Sequence, residues 1–122
     1  MSAGASGDEA EAEAGPGSFA VVSVTGDVDV ATAPALQQRL EAAIDSSPQV
    51  VVDLSPVQFL DSSGLGALVW GLKRARARGG CLQLVLHEPR VRRMFELTGL
   101  SRTFEIFPTL ALAGSPRRVP SD

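Results

Sequence analysis

Apolar positions recur along this chain with two alternating periods, and the alternation predicts strands and helices in turn. Residues 19–24, FAVVSV, form a short run rich in β-branched side chains that stops at Gly26, which is how a strand reads. Residues 27–30, DVDV, alternate polar and apolar with a period of two and predict another strand. Thr32 can act as the N-cap of a helix with Pro34 just inside its first turn, and Leu36, Leu40, Ala43 and Ile44 then recur at helical spacing until Pro48. Residues 50–54, VVVDL, are a continuous apolar run of the kind a central or doubly covered strand carries. A second helix is predicted over 63–78, stopped by Gly79 and Gly80. Residues 81–86 then read as a strand, 89–97 as a third helix and 103–107 as a last strand. Alternation with short connections predicts an α/β domain whose later strand-helix-strand steps are right-handed parallel crossovers.

Between the central strand and the second helix stands FLDSSGLG, residues 59–66. A strand, a polar turn and an amphipathic helix in succession put Ser62 or Ser63 at the helix start, where backbone N–H groups lack partners within the helix. A serine N-cap there contributes about 1 kcal/mol relative to alanine. That role accounts for one serine and not for its neighbour. Gly64 and Gly66 in the first turn work against the helix by up to about 1 kcal/mol each. Their value is an open backbone on which a partner surface or a modifying enzyme can approach the hydroxyls.

Composition narrows the function classes. The chain has 122 residues, 44% of them hydrophobic, and a net charge of −3, which is one domain at most. No apolar run approaches the about 20 residues that cross a bilayer, so no membrane role is expected. The opening residues lack the charged start and apolar block of a secretion signal, and Cys81 is the single cysteine; a reducing cytoplasm is the expected location. Residues 1–17 carry Asp8, Glu9, Glu11 and Glu13 without a base and are expected to be a disordered acidic tail. The domain is expected over 18–113, with a flexible tail over 114–122. Nine acids meet nine bases between Ser18 and Pro108, so no sustained basic face points to direct nucleic-acid binding. The cluster from Lys73 to Arg78 suits the last turns of a helix, whose dipole favours cations.

Catalytic readings fail on spacing. A nucleophile elbow needs glycine two residues on either side of the serine, but Leu60 and Asp61 hold the upstream positions for Ser62 and Ser63. His87 is the only imidazole, no phosphate loop of the G-x-x-x-x-G-K-[ST] form is present, and no Cys/His cluster offers a metal site. Cys81 reads as a small buried residue at a strand start. The chain is therefore expected not to be an enzyme and to need no cofactor.

The segment VVVDLSPVQFLDSSGLGALVWGLKRAR, residues 50–76, resembles the central signature of STAS domains, specifically of bacterial anti-sigma-factor antagonists, in which an apolar strand leads into D-S-[ST]-G-L-G and a helix. VTGDVDVATAP at 24–34 and PRVRRMFELTGL at 89–100 resemble that family's flanking segments. The resemblance implies a single STAS-type α/β domain, a mixed sheet of about five strands with helices mainly on one face. It also implies a partner-switching role. The unphosphorylated antagonist binds an anti-sigma factor that is also an ATP-dependent serine kinase, releasing a sigma factor; phosphorylation of the serine after the aspartate ends this, and a metal-dependent serine phosphatase restores it. Carried onto this chain, the phosphorylated residue is Ser62, with Asp61, Ser63, Gly64, Leu65 and Gly66 completing the motif and the partner-binding surface. The alternative within the same fold is a non-switching STAS accessory or scaffold subunit.

Three further residues join the candidate surface with two readings each. Asp27 and Asp29 precede the first helix and serve either a partner contact or a local turn. Trp70 lies nearly opposite the face of Leu65, Leu68, Val69 and Leu72 and is either an exposed interface anchor or packed on a neighbouring helix. Residues 109–114 are shorter than the final helix the resemblance implies, which leaves the domain's last cap open.

Overall fold

The computed structural model describes the backbone of Glu13–Ala14 and residues 19–114. β1 (Glu13–Ala14) pairs antiparallel with β2 (Ala20–Ser23), so the sheet reaches into the stretch expected as a tail. The rest of 1–17 and residues 115–122 lie outside the described residues. β2, β3 (Gln49–Asp53), β4 (Cys81–Val85) and β5 (Glu105–Phe107) are parallel neighbours in that order. α1 (Ala33–Ser46), α2 (Ser62–Ala77) and α3 (Pro89–Leu97) fill the three crossovers. The mixed five-stranded sheet is present, although its antiparallel member is β1.

Residues 27–30 are not a strand. Only Val28 pairs, in an isolated parallel bridge with Leu60. After it the chain curls, because the Asp29 carbonyl accepts from the N–H groups of Thr32 at 3.1 Å and Ala33 at 2.8 Å. Aspartates at 27 and 29 disfavour a pleated edge and favour a side-chain-stabilised turn, and turn chemistry overrides a short period-two pattern.

Strand alternation divides the core. Val22, Val50, Val52, Leu82 and Leu84 face the helices and pack with Leu36, Leu40 and Ile44 of α1, Leu65, Leu68 and Leu72 of α2 and Phe95 of α3. Burying each of these large side chains contributes about 1.5–3 kcal/mol. The reverse face carries a smaller cluster of Phe19, Val51, Val85 and Ala113, flanked by Val21, Phe107 and Leu110. A single 3₁₀ turn, Leu110–Leu112, stands where a longer helix was expected and covers that face. Gln83, 1% exposed, is fastened there: its amide donates to Glu105 Oε1 at 3.1 Å and accepts from Gly114 N–H at 2.7 Å. A buried amide without such partners would destabilise the strand that carries it.

The glycine pair after α2 has two jobs. Gly79 takes a left-handed φ of 82°, and the N–H groups of Gly79 and Gly80 return to the carbonyls of Arg76 and Ala75, closing the helix as a Schellman motif. At Gly80 a Cβ would lie 2.1 Å from the Pro48 carbonyl oxygen, so the helix is turned directly against the loop that ends α1. No helix among the described residues is long and apolar enough to cross a membrane.

Candidate functional site

The carboxyl ends of β2 and β3 open into two loops that are laced together. Val28 N–H donates to the Phe59 carbonyl at 3.0 Å, and Asp61 N–H donates to the Val28 carbonyl at 3.1 Å. This ladder sets the backbone of the Asp27–Asp29 loop beside the turn that starts α2. Ligand surfaces of parallel sheets gather at this end, outside the carboxyl edges of the strands.

The N-cap of α2 is Asp61, not Ser62 or Ser63. Asp61 is extended, with φ −100° and ψ −171°, and its Oδ1 accepts from Ser63 N–H at 2.8 Å and Gly64 N–H at 3.1 Å. A carboxylate at this position satisfies first-turn donors and complements the helix dipole, which a serine hydroxyl does less strongly. Ser62 becomes the first helical residue. It is exposed, and its hydroxyl makes no hydrogen bond among the described residues; Ser63 is half-buried. Capping by Asp61 therefore leaves both hydroxyls without a structural task.

The two glycines of the motif differ. Gly64 is buried, and a Cβ there would fall 2.7 Å from Leu60 Cδ1 and 2.8 Å from Val28 Cγ1. Its absence of a side chain lets α2 close onto the Val28-Leu60 bridge. Gly66 meets nothing within 4 Å and lies on a shallow groove between α1 and α2 with Val30, Ala33, Pro34, Gln37 and Ser63. Only Gly66 keeps the surface open in the sense the sequence predicts. Leu65 is buried in the helix-face core, so its part in the motif is packing.

Asp29 is committed to its own turn: Oδ1 accepts from Ala31 N–H at 3.0 Å and Thr32 N–H at 3.1 Å. Thr32 occupies the N-cap position of α1 without making a cap bond. Its hydroxyl instead accepts from Asp29 N–H at 2.9 Å, with the Asp27 carbonyl and Asp29 Oδ1 each at 3.2 Å. The Asp27 side chain is exposed. Trp70 is half-buried against the helix-face core, with the Arg74 guanidinium 5.8 Å from its ring. It stands two turns along α2 from Ser62, about 12 Å by helical rise, and does not join the serine turn. Val30 and Phe59, which the sequence reading did not single out, are 73% and 50% exposed on the two laced loops. Their signal was an apolar residue in a loop on either side of a polar motif.

Ser62 thus stands exposed at the carboxyl end of the parallel sheet, on a turn whose neighbouring loop positions Val30 and Phe59 are exposed as well. The chain belongs to the STAS domain family, whose model matches residues 10–113. It is 33% identical over 85 residues to the anti-sigma-B factor antagonist of Bacillus subtilis, covering 70% of this chain and 78% of that one. It is 37% identical over 98 residues to the anti-sigma-F factor antagonist RsfB of Mycobacterium tuberculosis, covering 78% and 80%. Among solved structures, an anti-sigma factor antagonist from Mycobacterium paratuberculosis superposes with a TM-score of 0.70 at 42% identity, covering 76% of this chain and 80% of that one. These relatives are regulatory proteins, and the chain stands with them and not with enzymes.

Proposed function

We propose that this protein is an anti-sigma-factor antagonist controlled at Ser62. Unphosphorylated, it docks on a cytoplasmic anti-sigma factor that is also an ATP-dependent serine kinase, and a sigma factor is released. Phosphorylation of Ser62 ends the docking, and a metal-dependent serine phosphatase restores it. The footprint runs from Asp27 and Asp29 across Asp61, Ser62, Ser63 and Gly66, with Val30 and Phe59 as apolar contacts and Trp70 at its margin. The carrying observation is that Asp61 caps α2, leaving the Ser62 hydroxyl exposed and uncommitted.

The same geometry explains why a phosphate would act on binding and not on folding. A phosphoryl group adds a charge of about −1.5 to −2. At a bare helix start it would find free N–H donors, but here those of Ser63 and Gly64 are held by the Asp61 carboxylate. The dianion is left to solvent beside a like charge, at little consequence for the isolated domain. An interface closed over Ser62 would have to desolvate that charge, and each 1.4 kcal/mol is about a tenfold loss of affinity.

The test is incubation with the candidate kinase anti-sigma factor and ATP, mass mapping of the modified residue, and titration of both forms against that factor. Modification at Ser62 with weakened binding supports the reading. Equal affinity of the two forms, or modification elsewhere, overturns it.

A further inference from the structure

Beyond β2 the sheet has only β1, which among the described residues is two residues long. Val24 N–H donates to the Asp53 carbonyl of β3, so by strand alternation the backbone groups of Val21 and Ser23 point the other way, toward β1. Glu13 stands opposite Val21, and there the described ladder stops. At the next outward position the Ser23 carbonyl accepts from the guanidinium of Arg39, which reaches from α1 round to the sheet edge. A cation therefore caps the place where β1 would continue.

The sequence ahead of β1 answers that cation. β1 runs antiparallel to β2, so each step back from Glu13 moves toward the carboxyl end of β2, and the same register carries Glu11 to the level of Ser23. Neighbouring strands lie about 4.8 Å apart, which a glutamate and an arginine side chain span together. Asp8 and Glu9 follow, and residues 1–17 contain no base.

We infer that residues 8–12 continue along the outer edge of β2, that the Glu11 carboxylate closes on the Arg39 guanidinium, and that this clasp shields the edge from a second copy of the chain. Residues 19–24, FAVVSV, are an apolar, β-branched run, and an edge strand of that kind is a template for pairing with another strand. A two-residue partner covers too little of it alone. The carboxylate–guanidinium contact fixes the covering segment, and Asp8 and Glu9 beyond it set charge where a foreign strand would have to lie. Being tethered, the chain's own segment outcompetes a second copy through its high effective concentration. The clasp does not depend on how the Ser62 surface is used.

Amide hydrogen exchange of the full chain, read at Val21 and Ser23, tests the clasp, because local opening of an edge registers there without global unfolding. Glu11→Gln is expected to raise exchange at Ser23 about two- to fivefold, the worth of one partly exposed ion pair, and to leave the β3 amides of Val50, Val51 and Val52 unchanged. Arg39→Gln is expected to do the same, and the double variant to add nothing further, since each change removes the same contact. Raising the salt from about 0.01 to 1 M should bring the unaltered chain to the variants' rate, as the screening length falls from about 30 to 3 Å. Asp8→Asn, Glu9→Gln and Glu11→Gln combined are expected to give concentration-dependent dimers in sedimentation equilibrium where the unaltered chain is a monomer. Exchange at Ser23 indifferent to Glu11→Gln, additive effects of the two single variants, or protection of Ser23 that rises with the concentration of the unaltered chain would each overturn the clasp. A triple variant that stays monomeric would overturn its shielding role.

Discussion

Two helices of this domain begin in the same way and end with opposite chemical consequences. Ahead of α1, Asp29 accepts from the chain two and three residues on, and ahead of α2, Asp61 does the same. Beside Asp29 the nearby hydroxyl, that of Thr32, is tied to Asp29 and to the Asp27 carbonyl. Beside Asp61 the hydroxyls of Ser62 and Ser63 make no hydrogen bond among the described residues. A hydroxyl committed to a turn contributes to folding; one released from that duty keeps its hydrogen-bonding capacity at the surface.

The largest expected effect tests the released hydroxyl. Ser62→Asp should weaken binding to the anti-sigma factor by about a hundredfold or more, corresponding to about 3 kcal/mol of desolvated charge, while Ser62→Ala should bind normally and resist phosphorylation. Calorimetric titration of the two variants checks this, and equal affinities would remove the distinction between the two helix starts.

Next comes the packing beneath the serine turn. Gly64→Ala drives a Cβ into Leu60 and Val28 and should destabilise the domain by about 1–3 kcal/mol, read from urea unfolding. Asp61→Ala removes the acceptor of two first-turn N–H groups and should cost about 1 kcal/mol, a melting shift of about 4–8 °C for a domain of this size. Thr32→Ala should cost about 1 kcal/mol or less by loosening the Asp29 turn, and it should leave phosphorylation of Ser62 unaltered in a kinase assay. If Thr32→Ala abolished phosphorylation while Asp61→Ala did not, the division of labour between the two starts would be reversed.

The smallest effect has the opposite sign. Gly66→Ala meets no neighbour and replaces a poor helix former in an exposed turn, so it should stabilise the domain by up to about 1 kcal/mol. The pair Gly64→Ala and Gly66→Ala, compared by thermal melt, separates a glycine demanded by close packing from one that keeps the groove open.

Much of this was legible before any coordinates. The apolar runs at 50–54 and 81–86 and the helical spacing of Leu36, Leu40 and Ile44 placed β3, β4 and α1 to within a residue or two, because burial on a sheet or helix imposes a period on the chain. Residues 89–97 marked α3 by the same logic. The DSSG turn announced its own position between strand and helix. Residues 27–30 misled, since a period of two over so few residues is also what an aspartate-bonded turn produces, and only the Val28-Leu60 bridge distinguishes them. Val30 and Phe59 escaped notice because exposure is not written in residue type.

By itself, then, the order of residues determined the α/β alternation, the central serine motif and the kinship to anti-sigma-factor antagonists, all of which rest on local periodicity and short spacing. The tertiary structure decided which side chain caps α2, which glycine is enclosed and which is open, and which arginines are paired. Those outcomes depend on contacts between segments distant in the chain, where Val28 meets Leu60, Asp45 meets Arg78 and Arg76 meets Thr103. No local pattern encodes them, because each is set by how whole elements pack before any single side chain finds its partner.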